Sequence, residues 1–295
     1  PVDSAETTEH INAARDIAGS QWEAAFNFVC TEAPEIGGRD QSPIVEPTKI
    51  FDNLSVLGRS GTVVYALDTS EGIILIDSGY PGQEESVLLA GLESLGFNPQ
   101  DIKIVIVAHG HADHYGGARY LQEQYGARIV LAEADWQMIE AAASEDGTPP
   151  IPARDVVATE GVPITLGDTQ VLPTLVPGHT PGSLGLVFQV QDGDAEHTAA
   201  LFGGTILLTG RISSEGLHQY VDSLAHFSEM ASDMGVEVEI SNHPIFNNFP
   251  AQLAALKTKA DDSAHPFVIG EQAYQSFLGV ISECTKVKLA RRGDL

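Results

Sequence analysis

The sequence predicts an α/β fold in which two mixed β-sheets pack face to face between outer helices. Three observations support this prediction: strand-length apolar runs are interspersed with helical periodicity, the two halves of the chain repeat this order, and neither half keeps a strict strand–helix–strand alternation. No clear linker divides the chain. We therefore expect a single domain over residues 1–295, with residues 1–48 as an N-terminal helix and loop that pack on it.

Local patterns define the elements of the first half. Apolar positions at helical spacing predict a helix over residues 5–30 that packs through Trp22 and Phe26. Residues 34–49, rich in Pro, Gly and charge, are predicted to form a loop. The run IKIVIVA at 102–108 is typical of a strand buried on both faces. The other strands are expected at 49–57, 62–68, 72–77 and 128–132, and helices at 84–95 and 117–125.

The second half repeats this organisation. Strands are expected at 169–177, 185–190, 198–202 and 236–241, and helices at 217–234, 250–259 and 271–290.

The charge balance restricts the partners. The chain carries 15 basic and 41 acidic residues, a formal net charge of -26. This field repels phosphate backbones, so we expect a small-molecule substrate and no nucleic acid. Solubility in a salty habitat and a preference for neutral or cationic ligands both fit the acidic surface. No apolar run approaches the ~18 residues that span a bilayer, and the oligomeric state is not predicted.

Two cysteines, Cys30 and Cys284, lie near opposite ends of the sequence. They can form a disulfide between the N-terminal segment and the last helix, which would indicate an oxidising compartment; the alternative is two buried, reduced thiols. The sequence begins at Pro1 rather than Met, which suggests processing or trimming. We expect a periplasmic or secreted protein whose signal peptide has been removed.

The stretch VAHGHADHYGG, residues 107–117, follows a predicted buried strand and concentrates metal-binding side chains. His109 and His111, two residues apart on extended chain, point the same way and can bind one metal ion. Asp113 and His114 follow as the chain turns into the next helix, and they are well placed to serve a second ion. Metal ligation explains this cluster better than unrelated polar residues in a surface loop.

A zinc site needs further ligands from distant parts of the chain. His179 in VPGHTPGS and His243 in ISNHP each follow a predicted strand within a turn, as the first motif does. The remaining histidines have ordinary surface or structural positions: His10, His197, His218, His226 and His265.

These motifs together resemble the metallo-β-lactamase superfamily. HGHADH, the later His179 and His243, and the segment GIILIDSG at 72–79 match its motifs in order, from about Val56 to Pro244. The resemblance implies an αββα sandwich with zinc ions at one edge of the paired sheets. It also implies that Asp77 supports the metal loop from behind.

One departure from the usual motifs of that superfamily indicates which of its subclasses the sequence resembles. Most of its hydrolases carry an aspartate that bridges two ions, in a pattern like F-S-G-D-T, but here the sequence reads LFGGTI at 201–206. This loss disfavours glyoxalase-like thioesterases, acyl-homoserine lactonases and transfer-RNA-processing nucleases. What remains resembles the third subclass of zinc β-lactamases.

That resemblance implies two zinc ions per chain. One ion takes His109, His111 and His179, and the other takes Asp113, His114 and His243. The reaction it implies is hydrolysis of a β-lactam antibiotic by metal-bound hydroxide, with Asp113 orienting the hydroxide, and hence a role in antibiotic resistance.

Other roles follow less directly from the resemblance. Thr180 either fixes the His179 ring or shapes the turn, and Thr205 and Arg211 are candidates for binding a substrate carboxylate. Residues 135–165, with the Pro-rich TPPIPARD, are expected by analogy to form a loop over the cleft.

Two alternatives stay open. The first is a related metallohydrolase that acts on lactones or other small cyclic esters or amides, with weak β-lactamase activity. The second is a non-catalytic protein that uses zinc structurally, although structural sites usually close their coordination with four protein ligands.

Overall fold

Two mixed β-sheets form the centre of the protein, which a computed structural model describes over residues 3–30, 39–208, 210–244, 247–260 and 263–295. Part of the loop predicted at 34–49 lies outside these ranges. The first sheet follows the chain order from β1 to β7, antiparallel up to β4 and parallel from β4 onward. Its strands are β1 Thr48–Phe51, β2 Leu54–Arg59, β3 Thr62–Thr69, β4 Gly72–Ile76, β5 Ile102–Ile106, β6 Arg128–Ala132 and β7 Val156–Ala158.

The second sheet has the order β12-β11-β10-β9-β8. Its strands are β8 Ile164–Leu166, β9 Thr169–Leu175, β10 Leu184–Asp192, β11 Ala195–Phe202 and β12 Val238–Ile240. The pair β11–β12 is parallel and the other pairs are antiparallel. Both sheets are therefore mixed.

Helices cover the outer faces of both sheets. They are α1 Ala5–Ala18, α2 Glu23–Val29, α3 Ala90–Ser94, α4 Ala112–Tyr115, α5 Ala118–Tyr125, α6 Glu133–Ala141, α7 Ser214–Asp233, α8 Phe249–Lys257 and α9 Glu271–Arg292. One apolar core joins the two sheets, a second joins the first sheet to α3, α5 and α6, and a third joins the second sheet to α1, α2, α7 and α9. The predicted αββα sandwich is confirmed.

Two element predictions were wrong at turns. The helix expected over 5–30 is two helices, because the chain leaves helical geometry at Gly19, which has φ 51°. The strand expected over 49–57 is the hairpin β1–β2, which turns at Asp52 and Asn53. Asp and Asn favour turns because their side chains hydrogen-bond to nearby backbone groups.

The N-terminal helices pack on the last helix. The Trp22 ring lies 4.9 Å from the Phe277 ring, and its indole N–H donates to the Ala273 carbonyl. Cys30 and Cys284 form a disulfide that closes this contact. Within the described ranges, no helix has the length and apolar character that crossing a bilayer requires.

Candidate metal centre

Six potential ligands converge at the edge where β5, β9 and β12 end. Two groups of three histidines have ligand nitrogens within 4.8 Å of one another: His109, His111 and His179, and His109, His114 and His243. The first motif leaves the carboxyl end of β5, His179 follows β9, and His243 follows β12. Side chains at strand ends rest on a rigid base and face a cleft.

The first group is the three-histidine site, formed by His109, His111 and His179. His179 Nε2 lies 3.1 Å from His109 Nε2 and 3.0 Å from His111 Nδ1. Ligand nitrogens around a tetrahedral zinc ion lie about 3.3 Å apart, given bonds of about 2.0–2.1 Å. The spacing is therefore close to that of three ligands on one ion.

Burial keeps two of these imidazoles neutral. It lowers the pKa of His109 and His179 well below the usual value, and the neighbouring histidines lower it further. The neutral imidazole is the form that binds a metal ion.

Asp113, His114 and His243 form a further set of donors, the aspartate-containing site, which shares its two histidines with the second histidine group. His114 Nε2 and His243 Nε2 are 3.1 Å apart, and Asp113 Oδ2 lies 3.6 Å from the first nitrogen and 3.9 Å from the second. Asp113 and both histidines are buried. Two nitrogens and a carboxylate oxygen are donors that zinc accepts.

Hydrogen bonds fix which nitrogens of the two histidines in the aspartate-containing site face the cleft. His114 Nδ1 donates to Asp77 Oδ2 at 2.7 Å, and His243 Nδ1 donates to the Gly61 carbonyl at 2.7 Å. Both Nε2 atoms therefore present lone pairs at 3.1 Å in the neutral rings. Such lone pairs repel each other, and a cation between them removes the repulsion. The donor set fits a metal ion.

Asp77 supports the centre from behind. It is fully buried with φ 65°, a conformation unusual for a residue other than glycine. Its Oδ1 accepts from the Ala108 N–H at 2.8 Å, and its Oδ2 accepts from His114 and from the Asn242 amide at 3.2 Å. The carboxylate thus joins the β5 loop, which carries the first motif, to the loop after β12.

Asp135 is a second buried carboxylate that the sequence did not reveal. Its oxygens accept from the Gly110 N–H at 2.6 Å, the Thr180 hydroxyl at 2.7 Å and the Gly182 N–H at 2.7 Å. Burial raises the pKa of Asp135, while these three donors oppose the rise. The carboxylate fixes the backbone beside His109, His111 and His179. The only local signal was an acidic residue on the apolar side of a helix.

Thr180 forms part of the same turn. Its hydroxyl also lies 2.7 Å from Ser183 Oγ, and among the described residues His179 Nδ1 finds no hydrogen-bond partner. Thr180 was expected either to fix the His179 ring or to shape the turn. The observed contacts shape the turn.

Two tightly packed glycines precede the position of the missing aspartate. Counted from Phe202, the fourth position of the pattern is Thr205, and Gly204 before it has φ 83°. A Cβ there would lie 2.5 Å from His179 Cβ, and one at Gly203 would lie 2.4 Å from the Leu184 carbonyl. No side chain fits at either glycine unless the metal loop moves.

A cavity of about 290 Å³ opens over the centre. Its wall beyond the ligands consists of Ala112 and, from the stretch between β11 and α7, Ile206, Leu208, Arg211 and Ile212. Arg211 lines the cavity, whereas Thr205 is buried and does not; the substrate contact expected of each residue stays a prediction. The stretch 135–165 contains most of α6, all of β7 and the start of β8, and TPPIPARD between α6 and β7 is in no helix or strand. Within the described ranges, this stretch contributes no residue to the cavity wall.

The other five histidines form hydrogen bonds away from the metal centre. Their partners are Glu283 for His10, Glu237 for His197, the Asp294 carbonyl for His218, Glu160 for His226 and the Ile50 carbonyl for His265. None belongs to the two ligand groups found among the described residues.

The fold and the donor set together define a metal-dependent hydrolase. Residues 57–193 match the Metallo-beta-lactamase superfamily, and the chain carries a domain of this superfamily. The structure is similar to BJP-1, a subclass B3 metallo-β-lactamase of Bradyrhizobium japonicum, at 29% identity and a TM-score of 0.70, over 81% of this chain and 92% of that one.

Curated relatives have diverse activities. The exodeoxyribonuclease WalJ of Streptococcus pneumoniae is 34% identical over 83 residues, 28% of this chain and 29% of that protein. An N-acyl homoserine lactonase of Bacillus sp is 26% identical over 175 residues, 50% of this chain and 68% of that protein. The match to WalJ therefore spans less than a third of that relative's length.

Proposed function

We propose that this protein is a di-zinc hydrolase that opens the β-lactam ring of antibiotics. The observation that carries the proposal is the pair of adjacent donor sites, three histidines beside Asp-His-His, with Thr205 rather than an aspartate at the fourth position of the F-S-G-D-T pattern. The likeness to a subclass B3 metallo-β-lactamase supports it.

The chain's own residues would divide the work. His109, His111 and His179 would hold one ion, and Asp113, His114 and His243 the other. Bound zinc lowers the pKa of water towards neutrality and polarises a carbonyl. Asp113, close to both Nε2 atoms of its group, would hold and orient the attacking water. Because each group supplies three protein ligands, water and substrate have room to bind.

Arg211 would anchor the substrate. It lines the cavity beside the apolar side chains of Ile206, Leu208 and Ile212. A guanidinium binds a carboxylate in a bidentate manner, and β-lactams carry such a carboxylate. The apolar side chains would pack on the substrate body and exclude water.

A second candidate is a hydrolase of lactones or other small cyclic esters or amides. The similarity to an N-acyl homoserine lactonase favours it. The apolar wall of the cavity suits an acyl chain as well as a lactam. Nucleic acid fits less well, since a net charge of -26 repels it.

We further propose a periplasmic or secreted location. The disulfide between Cys30 and Cys284 supports it, because structural disulfides persist in oxidising compartments.

The deciding experiment is steady-state hydrolysis by the zinc-loaded protein. Imipenem, a penicillin and a panel of γ-lactones would be compared, with His109→Ala as the inactive control. We expect lactam turnover that the variant lowers by at least ~100-fold, because it removes a ligand. Strong lactone but weak lactam turnover would instead establish the second candidate.

Arg211→Ala tests the anchor in the same assay. It should raise KM for carboxylate-bearing lactams and leave KM for neutral lactones unchanged, with Arg211→Lys in between. Equal effects on both substrate classes would contradict a carboxylate-binding role.

A further inference from the structure

Thr62 lies directly behind the aspartate-containing site, although no sequence motif distinguishes it. It is the first residue of β3 and only 1% exposed. Its hydroxyl Oγ1 lies 2.9 Å from Asp113 Oδ2, across 51 residues of chain. A buried hydroxyl on a carboxylate is a strong, charge-assisted hydrogen bond.

The direction of the hydrogen bonds around Thr62 follows from their chemistry. A carboxylate only accepts, so the single hydroxyl proton of Thr62 goes to Asp113. The Tyr80 hydroxyl, 3.0 Å from Thr62 Oγ1, must then donate to Thr62. His243 Nδ1 is 3.3 Å from the same oxygen but gives its proton to the Gly61 carbonyl at 2.7 Å. The order is Tyr80 to Thr62 to Asp113.

This hydrogen bond fixes the oxygen that faces the ligand nitrogens. Asp113 Oδ2 is the same atom that lies 3.6 Å from His114 Nε2 and 3.9 Å from His243 Nε2. A carboxylate free to rotate about its last bond would not keep that atom in place. The hydroxyl of Thr62 holds it there.

The turn before Thr62 also holds His243, another ligand of the aspartate-containing site. The Gly61 carbonyl accepts from His243, and the Val63 N–H donates to the Asn242 carbonyl at 2.9 Å. The β2–β3 hairpin thus holds both Asp113 and the His243 loop.

We propose that Thr62 is a positioning residue for the site formed by Asp113, His114 and His243, and that Tyr80 orients its hydroxyl proton. The proposal rests on the proposed function only in that this donor set binds zinc. Partners behind a metal ligand typically change metal affinity by about 10- to 100-fold when they are removed.

The test is zinc affinity measured without turnover. Metal-free protein is titrated with zinc against a chromophoric chelator, which yields one dissociation constant per site, and His243→Ala identifies the constant of the aspartate-containing site. Thr62→Val, which keeps the shape but lacks the hydroxyl, should weaken that site by about 10- to 100-fold and leave the three-histidine site unchanged. Thr62→Ser should restore the affinity, and Tyr80→Phe should weaken the same site to a smaller degree.

Two results would overturn the inference. Thr62→Val binding both ions as tightly as the unmodified protein would show that the hydrogen bond does not support the ligand. Thr62→Ser binding as weakly as Thr62→Val would show that packing, not the hydroxyl, is responsible. Failure of the premise that this donor set binds two zinc ions has a different signature, since the unmodified protein itself would then bind fewer than two ions. A preference for lactones over lactams would overturn the proposed function and leave these zinc affinities unchanged.

Discussion

At the scale of single residues, Gly204 shows how backbone geometry makes room for a metal ligand, His179. It combines φ 83° with a position against the His179 side chain, so that an added Cβ would meet His179 Cβ, Cγ and Cδ2 at 2.5–2.6 Å. No side chain fits here unless His179 moves. The sequence shows the glycine, but the contact that requires it joins positions 25 residues apart.

Gly204→Ala should therefore disturb both stability and metal binding. We expect the free energy of unfolding to fall by about 2 kcal/mol or more, from left-handed strain and the clash, and the zinc content to fall because His179 is displaced. Urea denaturation and metal analysis measure the two effects. Gly210→Ala is the matched control, since a Cβ there meets nothing within 4 Å. Equal stability and zinc content in the two variants would contradict the steric argument.

At the scale of elements, strand β12 carries a buried acid into the core. Val238 and Ile240 belong to the core between the sheets, and Glu239 alternates onto the other face, where it accepts from the Asn247 amide at 3.1 Å. Glu239 is 3% exposed, and loss of water raises its pKa to about 7. The packing of this strand therefore buries a carboxyl group whose ionised form is destabilised by the loss of water.

The pH dependence of stability follows from this pKa. Below about pH 4.5, Glu239 is protonated in both the folded and the unfolded protein. Between about pH 4.5 and pH 7, Glu239 loses its proton in the unfolded chain but keeps it in the folded protein. Stability from this group is thus complete at low pH and lost as the pH rises, by on the order of 3 kcal/mol.

Glu239→Gln removes this dependence and keeps an acceptor for Asn247. Urea denaturation at pH 5 and pH 8 should show the variant gaining stability relative to the unmodified protein at pH 8. Because the other titratable groups are the same in both proteins, their effects cancel in the difference between the variant and the unmodified protein. A difference that does not change between the two pH values would contradict the raised pKa.

The elements also show how far the sequence determines the structure. Strands such as β5 and the ligands that follow it were predictable, because near-continuous runs of β-branched apolar residues and closely spaced histidines are local signals. The hairpin β1–β2 and the break at Gly19 depend on single turn residues within otherwise continuous patterns. Thr62 and Asp135 were not predictable as parts of the site, because their contacts join segments 25 to 51 residues apart.

At the scale of the whole molecule, the metal centre requires both sheets to be packed together. Asp77 and the first motif come from the first sheet, while His179 and His243 follow strands of the second. The disulfide joins the end of α2 to α9 across 254 residues of the chain, so it connects the N-terminal helices to the last helix.

Cys30→Ala combined with Cys284→Ala should destabilise the fold. Loss of a cross-link over so long a loop enlarges the unfolded ensemble, and we expect the free energy of unfolding to fall by about 2–5 kcal/mol. Urea denaturation measures the change, and thiol titration of the unmodified, denatured protein should find no free thiol. Two reactive thiols, or an unchanged midpoint, would contradict the contribution of the bond.

The cavity wall has a consequence for how such an enzyme changes over evolutionary time. Ile206, Leu208, Arg211 and Ile212 lie between β11 and α7, on a stretch that supplies none of the six donors. Mutations at these four positions can therefore be selected for new substrates while descendants inherit the donor set unchanged. Lineages that share the metal centre are then free to diverge in what they hydrolyse through changes in this part of the cavity wall.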